Sequence, residues 1–163
     1  MVKKLVGPLV LLACSMALAA CDTTPPAVTV LMSQVAAACQ SDSKDALRAC
    51  FAREGVAPYQ IDQQVGGFDA YLDKGAGGFN WTYSSIEYVS LAAAANNKSF
   101  LPETISMAQP TTISGIKFAP NIKVIGFIQV WFKQADGTKA SEIEPVGIAS
   151  DGTAKFALVE PQH

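Results

Sequence analysis

Ile122-Lys-Val-Ile-Gly-Phe-Ile-Gln-Val-Trp-Phe-Lys133 is the strongest strand signal in the chain, and the rest of the architecture can be read outward from it. β-Branched and aromatic residues dominate it, the composition that suits a pleated, buried surface. It is apolar at both odd and even positions, so both of its faces need cover and it should lie inside a sheet. Downstream, Asp136-Gly137-Thr138 makes a turn and Glu142–Ile148 returns. Asp151-Gly152-Thr153 then turns again into Ala154–Val159. Asp-Gly between such runs is a hairpin signal, because those residues tolerate the positive φ of tight turns. Upstream, Ile113–Phe118 is a further candidate strand, turned by Ala119-Pro120-Asn121. The C-terminal third therefore reads as an antiparallel meander of three or four strands.

The N-terminal half changes period. Val28, Leu31, Val35 and Cys39 recur at helical spacing and predict a helix from about Ala27 to Gln40. Ser41-Asp42-Ser43 is a turn that caps a second helix, with Leu47, Cys50 and Phe51 as its apolar stripe. Asp45 falls in its first turn and Arg53 in its last, and Gly55 ends it. From Pro58 to Asp73 the residues Ile61, Val65, Phe68 and Leu72 keep a helical rhythm that Gly66-Gly67 weakens. Gly75-Ala76-Gly77-Gly78 is a loop. Phe79, Trp81 and Tyr83 alternate as on a strand, although Ser84-x-x-Glu87 could also cap a helix. The reading taken is a strand turning into a short helix. The expected fold class is α+β, an N-terminal helical hairpin packed on a C-terminal antiparallel β-meander.

The first twenty residues are of another kind. Lys3 and Lys4 precede an apolar run from Leu5 to Ala20, interrupted by Gly7 and Pro8 and short for a membrane span. The run ends in Leu18-Ala19-Ala20-Cys21, which resembles the lipobox of bacterial lipoprotein precursors. The resemblance implies a signal peptide over 1–20, cleavage before Cys21, and a diacylglycerol thioether on the Cys21 sulfur with an acyl chain such as palmitate on its amino group. Two or more acyl chains hold a protein stably where one does not. Residues 21–26 are then a lipid-anchored tether and 27–163 one α+β domain. The resemblance also implies the bacterial cell envelope, at the inner or the outer membrane, with the domain in the periplasm. Asp22 retains enterobacterial lipoproteins at the inner membrane, whereas other bacteria sort differently.

Removal of residues 1–20 leaves ten basic against fourteen acidic side chains, a formal charge of −4. That balance gives no support to nucleic-acid binding. Of the cysteines, Cys14 leaves with the leader and Cys21 takes the lipid, so Cys39 and Cys50 remain. In an oxidising compartment a disulfide is their default. On one continuous helix they would lie about 16 Å apart, far beyond the roughly 7 Å between Cα atoms that a disulfide spans. An intrachain bond therefore requires the helix to break at Ser41–Ser43.

Catalytic chemistry is thinly supplied. The single histidine is His163, and a triad would need a third group to fix it. No metal-ligand spacing or phosphate-cradling loop stands out, so no cofactor, metal or catalytic set is assigned. Asp69 and Asp73 share a helical face near Asp62, a solvated face before anything else. Phe79, Trp81 and Tyr83 form the densest aromatic cluster and are the candidate partner-binding residues. The same side chains could instead pack on the helices. Ile125, Phe127 and Trp131 form either a second packed layer or a patch, and the strand at Ala154–Val159 offers a possible edge for β-augmentation. The functional expectation is a non-enzymatic envelope lipoprotein that binds or scaffolds another envelope protein. The alternatives are a small peptidoglycan-acting enzyme or inhibitor, with Asp69 moving protons, and a carrier of a hydrophobic ligand.

Overall fold

The two-sided apolar strand is central, as its composition demands. Lys123–Lys133 (β4) pairs antiparallel with Thr82–Ser90 (β1) on one side and with Lys139–Ile148 (β5) on the other. Ala154–Phe156 (β6) pairs with β5, giving a sheet of order β1-β4-β5-β6. Thr112–Ile113 (β2), Ile116–Phe118 (β3) and Leu158–Val159 (β7) form a second sheet of order β2-β3-β7. These elements come from a computed structural model that describes residues 23–73, 80–95, 112–113 and 116–159. Residues 1–20, expected to be a signal peptide, lie outside the described residues, as do Cys21, the loop at 75–78, Phe79 and His163.

Two strand expectations are corrected. Ile113–Phe118 is not one strand: β2 and β3 pair with each other, Thr112 opposite Lys117 and Ile113 opposite Ile116. The fourth strand of the main sheet is β1 instead. Ala154–Val159 also divides. The Ala157 N–H donates to the Pro145 carbonyl while the Ala157 carbonyl accepts from Ala119 N–H, so the chain changes sheets there.

The pairing fixes which side chains share a face. Tyr83, Ile86 and Tyr88 stand opposite Phe132, Val130 and Ile128, and Val146 stands opposite Phe156. All lie on the side covered by the main core. A bulge between Val124 and Gly126 leaves Ile125 without an opposite number, so Ile125 joins the main core while Phe127 points the other way. Gly126 is required at this bulge. Tyr88 lies across it and donates its hydroxyl to the Ile125 carbonyl at 3.0 Å, and a Cβ on Gly126 would sit 2.6 Å from the Tyr88 ring.

Helix Pro26–Gln40 (α1) opens with proline at its first position, where no N–H is needed. It buries Val28, Leu31, Val35, Ala38 and Cys39, one stripe at three- and four-residue spacing. The chain breaks at Ser41–Ser43, with Asp42 at φ 52°, and Ser43 Oγ accepts from Ala46 N–H to cap Lys44–Arg48 (α2). This second helix is shorter than its stripe predicts, and Arg53 lies outside it. Phe51 is drawn to β6 instead: its ring lies 5.0 Å from that of Phe156. The Phe156 N–H donates to Cys50 O and its carbonyl accepts from Ala52 N–H. Pro58–Gly66 (α3) and Asp69–Leu72 (α4) are separated at the glycine pair, and Leu91–Ala95 (α5) follows β1 directly. The fold class is α+β.

Candidate functional site

Trp81 and Tyr83, two of the aromatic residues named from sequence, are part of a structural corner. Trp81 and Tyr83 are half-buried and pack against the main core. Tyr71, from α4, stacks on Phe132 with centroids 4.3 Å apart and planes at 7°, and meets Trp81 edge-on at 5.5 Å. Phe68 closes the group from below, edge-on to Phe132 at 6.4 Å. Trp81 and Tyr83 are thus only partly available to a partner. Trp81 and Phe132 tie α4 to the sheet through Tyr71, and Tyr71, Trp81 and Tyr83 each keep part of their surface in solvent.

A carboxylate that the sequence reading passed over stands beside this group. Glu142 on β5 pairs with Val130, and Glu144 with Ile128, so both project to the helix-covered side. Glu144 is buried and Glu142 is half-buried. Desolvation pushes the Glu142 carboxyl up to about 7. Burial raises the Tyr71 phenol, and the Glu142 charge raises it further. Glu142 therefore changes charge near neutral pH at the rim of an aromatic corner. The signal that could have found it was the Glu142-x-Glu144 alternation, beside a strand that needs cover on both faces.

The carboxylates chosen from sequence are otherwise engaged. Asp69 and Asp73 both grip Lys44 Nζ at 2.8 Å, raising the Lys44 pKa through those hydrogen bonds. Asp62 accepts from Arg48 Nε at 2.7 Å and Asp45 from Arg48 Nη1 at 2.6 Å. These ion pairs tie α2 to α3 and α4.

The disulfide expected between Cys39 and Cys50 is not formed in this structure: both are buried free thiols, close enough for Cys50 to act on the Cys39 thiol. Burial, with the neighbouring Cys50 adding to it, pushes the Cys39 thiol up to about 12. Burial raises Cys50 as well, opposed by nearby Lys155. Cys50 Sγ turns back toward the Ala46 carbonyl at 3.6 Å.

The other sheet face is a smaller layer, not a bare patch. Phe127 and Ala94 are buried there, flanked by Val89, Leu91, Phe118 and Ile143. Two polar pairs cross it: Gln129 Nε2 donates to Ser141 Oγ at 2.8 Å and Trp131 Nε1 to Glu87 Oε1 at 3.0 Å. Of the edge expected over Ala154–Val159, the β6 part is occupied, because β5 holds one side and Cys50–Ala52 the other, while Leu158–Val159 (β7) ends the second sheet. Among the described residues no helix is long and apolar enough to cross a membrane, and no cluster of three or more metal-ligating side chains occurs. Compared with protein-family models, with curated proteins and with solved structures, the chain matches none.

Proposed function

We propose that this chain is a lipid-anchored protein of the bacterial cell envelope that acts by binding another envelope protein. The observation that carries the reading is the Leu18-Ala19-Ala20-Cys21 sequence, followed by a helix that begins at Pro26. Only Asp22–Pro25 separates the lipidated residue from α1, a reach of roughly 17 Å at full extension. The helical hairpin formed by α1 and the short α2, set on the β4–β5–β6 meander, would then stand close to the bilayer. The partner would meet the rims of Tyr71 and Trp81, next to Glu142. After export Cys39 and Cys50 would form a disulfide, each thiol losing a proton and the pair passing two electrons to a thiol oxidant of that compartment.

Metabolic labelling with an alkyne palmitate analogue tests the anchor. The wild-type chain should carry the label and sediment with membranes, and Cys21→Ser should do neither. Equal labelling of both would overturn the assignment.

Action on peptidoglycan is a second reading, and the raised Glu142 carboxyl favours it. It would move the acid from Asp69 to Glu142, with aromatic rims to hold a sugar. Hydrolysis of purified sacculi, lost in Glu142→Gln and kept in Asp69→Asn, would support it. The carrier reading has less support: the space between α1–α2 and the sheet is filled by Leu31, Val35, Leu47, Val130 and Phe156, each at most 1 % exposed.

A further inference from the structure

A cleft of about 430 Å³ lies at the other end of the sheet, between the segment after α2, the Pro120–Asn121 turn and the β5–β6 hairpin. That volume falls within the ordinary range of small-molecule sites. Local geometry fixes its walls. Gly55, at φ 70°, sits against Pro120 where a Cβ would collide with the proline ring. Asn121, at φ 62°, donates to Glu54 at 3.4 Å. Asp151 holds the hairpin turn by accepting from the N–H and hydroxyl of Thr153 at 2.9 and 2.7 Å. Half-buried Ile122 and exposed Pro120 give it an apolar wall.

The two acids of the rim are thus already bonded, and the two bases are not equally so. Lys155 Nζ donates once, to the Ala49 carbonyl at 2.8 Å, leaving two of its three donors. The Arg53 guanidinium makes no hydrogen bond or ion pair among the described residues. Unused charged donors beside an apolar wall suit an anion with an apolar body. Glu54 and Asp151 at the same rim oppose a dianion more than a monoanion, which sets a carboxylate ahead of a phosphate. We propose that this cleft binds an organic monocarboxylate, either a free N-acylated amino acid or the C-terminal carboxylate of a peptide, with Arg53 and Lys155 on the carboxylate and the apolar body on Ile122 and Pro120. The site is distinct from the aromatic corner, so the two readings can fail separately.

The test is nitrogen-15 NMR of the full-length chain in detergent, titrated with N-acetyl-leucine, a C-terminal leucyl peptide, N-acetyl-leucine amide and inorganic phosphate. Saturable shifts confined to residues 49–54, 120–122 and 149–155 are expected with the two carboxylates and not with the amide. The tighter of the two identifies the source. Arg53→Gln, on an exposed side chain, should weaken binding at least about tenfold with an unchanged melting temperature. Binding of phosphate alone, equal binding of acid and amide, no shift with either carboxylate, or undiminished affinity in Arg53→Gln would each overturn the proposal.

Discussion

The two faces of the four-stranded sheet are built on different principles. The helix-covered face is a continuous apolar layer in which Val35, Leu47, Val130, Val146 and Phe156 are all fully buried. The opposite face has a small cluster around Phe127, then polar pairs, Gln129 with Ser141 and Trp131 with Glu87. Apolar burial contributes about 25 cal/mol per Å² and has no direction. Hydrogen-bonded pairs contribute about 1 kcal/mol net but fix geometry. The first face should therefore set stability and the second should fine-tune it. Where β5 crosses the first face the rule breaks, because Glu142 and Glu144 occupy positions that an apolar layer would fill.

The largest effect should come from removing the aromatic that joins α2's end to β6. Phe156→Ala is expected to cost about 3–5 kcal/mol in denaturant unfolding, and Phe127→Ala on the smaller layer about 2–3 kcal/mol. Equal costs would contradict the division between faces. Gly126→Val should be comparably damaging, since its side chain would meet both the Tyr88 ring and the Val89 carbonyl.

Glu142 gives a pH test of the break in the rule. Its folded pKa is raised from 4.5 to about 7, so the folded state binds the proton more tightly than the unfolded state. The stabilisation is fully present below about 4.5 and is lost as pH rises through about 7. Solvent at this half-buried site reduces the total to on the order of 1–2 kcal/mol. Glu142→Gln should abolish that pH dependence, and an unchanged slope would place the carboxyl in water. The smallest effect is predicted for Trp131→Phe, which loses one bond to an exposed Glu87 and should cost under about 1 kcal/mol.

The sequence shows why some of this was legible. β4 announces itself because two-sided apolarity has one comfortable location, and α1 because its stripe repeats over four turns. The strand-then-helix reading of 79–95 held from Thr82 onward, as β-branched and aromatic alternation outweighed the capping pattern at Ser84. The length of α2 was not legible, since Phe51 fits a helical stripe and only Phe156, distant in sequence, draws it out. Asp69 was readable as a helical carboxylate, but its partner Lys44 was not, for ion pairs between separate helices leave no local spacing. Glu142 was hidden by the habit of assigning charged residues on an alternating strand to solvent. On β5 both faces are covered over this stretch, so that assignment fails.

The central claim is a partner held at the Tyr71–Trp81 rim of a membrane-anchored domain, and cross-linking in living cells tests it most directly. A photoreactive residue at Trp81 should give one dominant protein adduct, and the same residue at Ser85, on the opposite face, should give none. Adducts at Ser85 alone, or no adduct at Trp81 from a folded and membrane-bound chain, would contradict the account.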